Sequence, residues 1–335
     1  TLSATPLPGD WDNVELYATD NTISYLDYEY AADGFTGELA SNSSFDHVTM
    51  NTMSLEANGI YLSNSMNMSF SENTISAAGV YGIYCHNCDF SDYMSNTITG
   101  PDNGIHGQLS SNSNFISNNI EVQGDYAIDA YDCDFSTIDS NIIRGYGDGF
   151  EYGIRAHDSY YVNIEHNDIE DFRQYGIYFQ SSANAIVNYN RLIESSSADW
   201  VTGIHNSASN QFAQVNYNYI DLTIDTDLNN WSGIWKTGID VRDSEVIGDS
   251  VFVYVNSSYD TDARGIRADR STIQDNYVRI EDHYDYNGLG IAIESYGDGA
   301  PRHTISNNTI EATRESRGIW ASYADIENNH ISNWS

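Results

Sequence analysis

Five side chains that occupy similar positions in successive copies of a repeat could together remove a proton from a sugar. They are one acid, one arginine, one histidine and two tyrosines. Abstraction of the proton next to a sugar carboxylate requires a base, a cation on the carboxylate and a donor to the leaving oxygen. The candidate catalytic residues are Asp129, Tyr131, Arg155, His157 and Tyr178. They predict a lyase or an epimerase that acts on acidic polysaccharide. The alternative is a polar ladder in which Asp129 and Arg155 neutralise each other.

A second set of side chains could hold a sugar without reacting with it. Aromatic rings that flank a polar groove suit the C–H face of a pyranose. The segments between repeats lengthen in the second half of the chain, and such insertions often form a binding face. The candidate glycan-binding residues in them are Trp200, Trp231, Trp235, Tyr284 and Tyr286. The alternative is that these rings fold back and cover apolar surface.

The same segments carry closely spaced carboxylates. Asp225, Asp227, Asp260 and Asp262 would repel one another unless a cation screened them. We therefore expect these carboxylates to bind Ca²⁺, although no segment has the twelve-residue spacing of an EF-hand loop. The sequence implies no organic cofactor.

Three cysteines limit the covalent chemistry of the chain. Cys85 and Cys88 form a Cys-x-x-Cys pair, and Cys133 stands alone. A structural zinc site needs four suitable ligands, and the sequence offers no second pair. A local disulfide, a pair of buried thiols and a zinc site remain the alternatives for Cys85 and Cys88.

Composition excludes several classes of partner. The 335 residues contain 49 acids and 13 bases, which gives a formal charge of −36. A polyphosphate or an anionic membrane surface would be repelled, because such partners are bound through Lys and Arg. No apolar run is long enough to span a bilayer. The expected partners are a polysaccharide or other subunits of the same protein, and the expected location is extracellular or at the cell surface.

An internal repeat organises the whole chain. A Gly-Ile or Ala-Ile pair recurs about every 25 residues, which is a period typical of repeat architectures. The first residues of these pairs are Gly59, Gly82, Gly104, Ala127, Gly153, Gly176, Gly203, Gly238, Gly265, Gly290 and Gly318, and Gly37 is taken as the start of an earlier copy. Each copy contains short pieces in which apolar residues alternate with polar ones, bounded by Asn, Asp, Ser and Gly. Such pieces are strands.

Three short strands per copy predict a parallel β-helix. We expect an all-β solenoid of about 12–13 coils, in which like residues stack at about 4.8 Å. Residues 1–335 form one such domain in this interpretation. No terminal cap is recognisable, so we expect a segment of a longer solenoid or a unit that polymerises.

Two columns of polar residues follow from the stacking. An asparagine recurs 14 residues after the glycine position, from Asn51 to Asn190, and is expected to occupy a left-handed turn with its amide bonded along the column. A serine or cysteine recurs six residues after the glycine position. Cys88 and Cys133 belong to this small-residue column, two coils apart and too distant to bridge.

These copies resemble the right-handed parallel β-helix repeats of extracellular polysaccharide lyases, uronan epimerases and periplasmic NosD-like proteins. The entry segments are similar to the first coils of secreted β-helix proteins; they are Trp11-Asp12-Asn13-Val14, Ile23-Ser24-Tyr25 and Glu29-Tyr30-Ala31. The resemblance covers nearly the whole chain and implies the fold. Because this fold carries both enzymes and inert spikes, it implies no single function.

One segment also resembles a catalytic pattern. Residues 152–157 are similar to the Tyr-Gly-Phe-Asp-Pro-His pattern of alginate epimerases at Tyr152, Gly153 and His157. They depart from it at Arg155 and Ala156, where that pattern has Asp and Pro. The sequence thus predicts an extracellular structural or surface β-helix protein that binds glycans and assembles end to end. The alternative is a polysaccharide lyase or uronan C5-epimerase.

Overall fold

The fold is all-β in a computed structural model. The structure describes residues 13–31, 33–52, 57–77, 79–146, 149–195, 200–206, 212–225, 234–256, 261–282, 289–296, 303–313 and 316–333. These residues contain 39 strands, three per coil, and no helix. The predicted parallel β-helix is therefore confirmed. No helix in the described ranges is long and apolar enough to cross a membrane.

Two compact units divide the chain, residues 1–163 and 164–335. The prediction of a single domain stays a prediction. In both units every paired strand lies parallel to its equivalents in the neighbouring coils. We call the three sheets of each unit the first, second and third sheet, in the order in which the chain enters them within a coil.

The first unit has these strands. Its first sheet consists of Val14–Leu16, Phe35–Glu38, Asn58–Ser63, Tyr81–His86, Asn103–Gln108, Tyr126–Tyr131 and Phe150–His157. Its second sheet consists of Thr22–Ser24, Ser44–Asp46, Ser69–Ser71, Asp92–Met94, Asn114–Ile116 and Thr137–Asp139. Its third sheet consists of Asp27–Ala31, Thr49–Thr52, Thr74–Ala77, Thr97–Thr99, Asn119–Val122 and Ile142–Gly145.

The second unit repeats this arrangement, and the strand Asn163–Glu165 contains the boundary. Its first sheet consists of Phe172–Gln180, Trp200–Asn206, Ile234–Arg242, Thr261–Asp269, Leu289–Ser295 and Arg317–Ala321. Its second sheet consists of Ile186–Asn188, Gln214–Asn216, Glu245–Ile247, Thr272–Gln274, His303–Ser306 and Ala324–Glu327. Its third sheet consists of Asp168–Glu170, Arg191–Glu194, Tyr219–Asp225, Ser250–Asn256, Tyr277–Asp282, Thr309–Ala312 and His330–Asn333.

The core is a set of vertical columns. Alternate residues of a strand face opposite sides of a sheet, so in-register pairing places like residues above one another. In the first unit the isoleucines of the Gly-Ile pairs align from coil to coil and are fully buried. On the second sheet Phe70, Tyr93 and Phe115 stack at centroid distances of 4.9 and 4.7 Å. This column of rings fixes the register of the coils.

The asparagine column is a continuous hydrogen-bonded ladder. In the first unit Asn73 Nδ2 donates to Asn96 Oδ1, Asn96 to Asn118 and Asn118 to Asn141, each at 2.9 Å. Each backbone N–H also donates to the next side-chain oxygen, for example Asn96 N to Asn118 Oδ1 at 3.0 Å. The buried side-chain amides of this part of the first-unit column are thereby paired. The predicted bonding of stacked amides is confirmed.

The prediction that these asparagines have a left-handed backbone conformation was wrong. The residue before each of them, not the asparagine itself, is in the left-handed region, with φ between 52° and 58° in the first unit. These residues are Glu72, Ser95, Ser117 and Ser140. The left-handed residue turns the chain, which leaves the following asparagine free to bond to both neighbouring coils.

The predicted starts of two coils, at Gly37 and Gly290, were also wrong. Gly37 pairs with Leu62, so the residue equivalent to Gly59 is Gly34. As a result Val48, and not Asn51, occupies the first place of the asparagine column, and its N–H donates to Asn73. In the second unit the coil taken to start at Gly290 starts two residues later, because Ile266 pairs with Ile293.

The cysteine alternatives are resolved for the first unit. Cys85 and Cys88 form a disulfide with Cα atoms 5.8 Å apart, and both are fully buried. Cys133 is a buried free thiol within the serine column, where its backbone N–H donates to Ser159 Oγ at 2.9 Å. Burial raises the pKa of the Cys133 thiol. It is therefore a small packing residue of the core.

Candidate functional site

The outward face of the first sheet in the first unit begins with stacked rings. The ring of Tyr84 lies between those of Tyr61 and His106, at centroid distances of 4.8 and 4.9 Å and within 3° of parallel. All three occupy the second position after the glycine of their coils, so in-register pairing superimposes them. Tyr81 packs against this stack and contacts both Tyr84 and His106.

The stack ends in a buried ionic cluster. Asp129 is 0% exposed, and its Oδ2 lies 2.8 Å from His106 Nδ1. Arg155 contacts both oxygens of Asp129, with Nε at 2.7 Å and Nη2 at 2.6 Å. Burial would raise the pKa of Asp129, but the hydrogen bonds from His106 and Arg155 outweigh it and lower that pKa. Asp129 is thus a carboxylate at neutral pH, paired on both sides.

Tyrosine rings cover this cluster. The guanidinium carbon of Arg155 lies 4.5 Å from the ring centroid of Tyr126 and 5.7 Å from that of Tyr152. The hydrogen bonds and charge of Asp129 raise the pKa of Arg155 against the opposing effect of burial. Burial raises the pKa of Tyr126, with a further contribution from its hydroxyl contact with Tyr81. We call Tyr81, Tyr84, His106, Asp129 and Arg155 the closed row.

The other candidate catalytic residues have different neighbours. Tyr131 and His157 stack at 5.2 Å, and His157 Nδ1 lies 3.0 Å from Asp158 Oδ2. Tyr178 belongs to the second unit, where its hydroxyl donates to Gln180 Oε1 at 2.6 Å. The structure therefore joins Asp129 with Arg155, and Tyr131 with His157. Lyase or epimerase activity of these residues stays a prediction.

A pocket opens on the first sheet of the second unit between two tryptophans. The rings of Trp200 and Trp235 lie on adjacent strands, 6.0 Å apart and inclined by 58°. They are 61% and 51% exposed, so these two rings do not fold back onto the core. The other three predicted glycan-binding residues, Trp231, Tyr284 and Tyr286, lie outside the described residues.

The pocket has a volume of about 70 Å³ and a mixed polar and aromatic lining. The lining residues are Tyr175, Trp200, Thr202, His205, Trp235, Thr237, Asp240, Asp262, Arg264 and Arg267. The two tryptophans form the rim of this pocket.

The charged side chains at the floor of the pocket are far apart for hydrogen-bonded ion pairs. Asp240 Oδ2 lies 3.4 Å from His205 Nδ1 and 3.8 Å from Arg267 Nη1, which is longer than a hydrogen bond. Within the described ranges, four buried polar atoms of the lining residues make no hydrogen bond: His205 Nδ1, Asp262 Oδ1, Arg264 Nε and Arg267 Nε. His205 Nδ1 and Arg264 Nε each still face an acid, Asp240 at 3.4 Å and Glu294 at 2.8 Å. An unpaired buried donor or acceptor is costly, so the pocket is suited to a ligand that supplies both.

Arg264, another charged residue of the pocket lining, has closer partners than Asp240 has. Arg264 contacts Asp262 at 2.7 Å and Glu294 at 2.8 Å. Burial is the largest cause that raises the pKa of Asp262. Glu294 was missed in the sequence, because Gly290-Ile291-Ala292-Ile293 offers two alternative starts for the coil. The register of Arg267 with Glu294 could have been found only by counting back from the strand that follows.

The predicted Ca²⁺ group is described only in part. Asp262 lies beside Arg264, as above, while Asp227 and Asp260 fall outside the described residues. Asp225 ends its strand, and its side chain is likewise outside them. No group of three potential metal-binding side chains occurs among the residues that the structure describes. Calcium binding by these aspartates stays a prediction.

The three parallel sheets and the stacked coils define the class of protein, and comparisons with known families agree with it. The family model described as "Right handed beta helix region" matches residues 34–153. The model described as "Periplasmic copper-binding protein (NosD)" matches residues 96–248. The chain is a right-handed parallel β-helix repeat protein. A search of curated proteins finds no match.

Solved structures of similar fold have low identity to the chain. DFA-IIIase from Arthrobacter chlorophenolicus A6 is 14% identical, with 88% of this chain and 84% of that chain covered and a TM-score of 0.49. The Acinetobacter phage vb_AbaP_AS12 gp42 tailspike is 9% identical, with coverage of 98% and 58% and a TM-score of 0.48. PfbA, a surface adhesin of Streptococcus pneumoniae, is 10% identical, with coverage of 97% and 83% and a TM-score of 0.45. Identities this low say nothing about a shared activity.

Proposed function

We propose that the protein is an exported β-helix protein that binds carbohydrate in the pocket between Trp200 and Trp235. The observation that carries this proposal is the pair of half-exposed indole rings, inclined by 58°, above a polar floor. Large exposed aromatic side chains cost free energy in water unless a partner covers them. A pyranose offers such rings an apolar C–H face and offers the floor its hydroxyl groups.

The charge of the protein favours a neutral carbohydrate or one bridged by cations. A net charge of −36 repels a polyuronate, and two acids line the pocket beside its two arginines. An exported location is supported by the buried Cys85–Cys88 disulfide, because disulfides persist in oxidising compartments. End-to-end assembly of subunits stays a prediction.

Removal of either tryptophan ring is expected to weaken binding. Isothermal titration calorimetry with a panel of neutral and acidic oligosaccharides identifies the best ligand of the intact protein. Trp200→Ala and Trp235→Ala should each raise the Kd for that ligand by about tenfold or more, since hot-spot aromatic residues typically contribute more than about 1 kcal/mol.

A third tryptophan provides a matched control. Trp320 is 38% exposed on the same sheet of the second unit, where the guanidinium of Arg317 lies 4.4 Å from its ring centroid. Trp320→Ala should leave the Kd within about twofold of the original value. Equal losses in all three variants, or no binding of any oligosaccharide at millimolar concentration, would contradict the proposed function.

A further inference from the structure

We infer that the pocket of the second unit lies over a second copy of the closed row, which Thr237 leaves uncovered. The pocket binds the hydroxyl groups of a neutral sugar residue. This inference rests on the proposed function and names its specificity-determining residue and its ligand class. It follows from a comparison of the two units, in which the same side chains occur in the same order.

The two copies have the same residue type at five equivalent positions. In the first unit the closed row runs from Tyr81 and Tyr84 through His106 and Asp129 to Arg155 on four successive strands. In the second unit the equivalent residues, which we call the open row, are Tyr175, Tyr178, His205, Asp240 and Arg267. Within each unit the paired strands place the tyrosine, histidine, aspartate and arginine opposite one another in register.

The tyrosine ends of the two rows have the same geometry. Tyr81 and Tyr84 lie 5.1 Å apart with an interplanar angle of 56°, and Tyr175 and Tyr178 lie 5.0 Å apart with the same angle. The histidine then stacks on the second tyrosine in both units. The likeness therefore extends from residue types to ring orientation.

The ionic ends differ. In the closed row the aspartate is held at 2.8 Å by His106 and at 2.6 Å by Arg155. In the open row the corresponding distances are 3.4 Å to His205 and 3.8 Å to Arg267. The aspartate of the open row thus keeps hydrogen-bonding capacity that its counterpart has already used.

The residue three positions before the aspartate explains this difference. In the first unit it is Tyr126, whose ring lies 4.5 Å from the guanidinium of Arg155 and covers the ion pair. In the second unit it is Thr237, which lines the pocket. Threonine lacks the ring that would occupy this space. The pocket of about 70 Å³ lies in front of the open row, with the two tryptophans at its rim.

The unpaired atoms of the pocket select the ligand. Asp262 Oδ1 needs a donor and Arg267 Nε needs an acceptor, and both are buried. A sugar hydroxyl supplies both, because it donates one hydrogen bond and accepts others. A carboxylate accepts only, and it would meet the negative charges of Asp240 and Asp262. Neutral sugars are therefore preferred to uronates.

Filling the pocket tests the inference. Thr237→Tyr places at this position the residue that closes the first unit, and we expect the Kd for a neutral oligosaccharide to rise by about tenfold or more. The same exchange on the second sheet of the second unit, Thr272→Tyr, adds a ring outside the pocket and should change the Kd by less than about twofold. If circular dichroism shows that Thr237→Tyr does not fold, Thr237→Leu fills part of the same space. Oligouronates of equal length should bind the original protein about tenfold more weakly than neutral oligosaccharides.

The outcomes separate this inference from the proposed function. If Trp200→Ala and Trp235→Ala weaken binding while Thr237→Tyr and Thr237→Leu bind normally, the ligand lies on the rings alone and the inference is overturned. Preferential binding of oligouronates overturns the assignment of ligand class. If the original protein binds no oligosaccharide, the proposed function fails and this inference fails with it.

Discussion

Replacement of Arg155 by alanine should lower the free energy of unfolding by about 3–5 kcal/mol, the range measured when one partner of a buried ion pair is removed. Asp129 is 0% exposed and receives two hydrogen bonds from this guanidinium. Without Arg155 the carboxylate would keep His106 as a partner but would lose most of its neutralising charge. The stacking of Arg155 on Tyr126 would be lost as well.

Urea unfolding followed by circular dichroism at pH 7 measures this effect, and the open row supplies its control. Arg267 occupies the equivalent position in the second unit, but it lies 3.8 Å from Asp240 and its side chain is 36% exposed. Arg267→Ala should cost less than about 1 kcal/mol, as is typical of exposed ion pairs. Equal losses in the two variants would show that the two rows do not differ in closure.

Replacement of Asp249 by asparagine is expected to stabilise the protein by at least about 1 kcal/mol at pH 7. Asp249 is the one acid in the asparagine ladder of the second unit among the described residues, and it is fully buried. Its Oδ1 accepts hydrogen bonds from the backbone and side chain of Asn218, at 2.7 and 2.9 Å. Its Oδ2 has no partner, where an asparagine would place an amide donor.

The gain should depend on pH. Burial raises the pKa of Asp249 well above its ordinary value, against the smaller opposing effect of the hydrogen bonds from Asn218. The unfolded carboxyl group ionises near pH 4 and the folded one ionises only at a higher pH, so ionisation favours the unfolded chain as pH rises between the two pKa values. The original protein should therefore lose up to about 1.4 kcal/mol per pH unit above pH 4 relative to Asp249→Asn, until the folded pKa is reached.

Urea unfolding of both proteins at pH 4, 5.5 and 7 checks this dependence. The reverse exchange, Asn118→Asp in the ladder of the first unit, should destabilise the protein by an amount that also grows with pH. Asn118 is flanked by asparagines in both neighbouring coils, so the new carboxyl group would enter the same environment. A stability difference for Asp249→Asn that is constant from pH 4 to pH 7 would exclude a buried protonated acid.

The fold was predictable from the sequence because the repeat determines which residues of neighbouring coils pair. Once Ile83 and Ile105 are taken as equivalent, parallel pairing fixes every other contact between their strands. The errors occurred where one coil contains two similar candidates for the same place. Gly34 and Gly37 are both followed by a residue compatible with a strand, and only the pairing of Phe35 with Ile60 distinguishes them.

The candidate site was less predictable, for reasons of packing. Vertical stacking places Asp129 next to Arg155, so their pairing could be foreseen from the column alone. Whether such a pair is covered depends on side chains of another column. Tyr126 covers the pair in the first unit and Thr237 does not in the second, because the two residues differ in volume. The strand alternation identifies which residues face outward, but the space between them is determined by the whole neighbourhood.

In-register stacking also determines how a chain of this kind can change its length. Because Ile105 and Ile128 occupy the same place in neighbouring coils, deletion of residues 105–127 would join Gly104 to Ile128 and restore every column. Deletion of a single residue in a strand would instead move all later side chains of that strand to the opposite face. Removal of one complete coil is therefore expected to preserve the fold, whereas removal of one residue within a strand is expected to disrupt it.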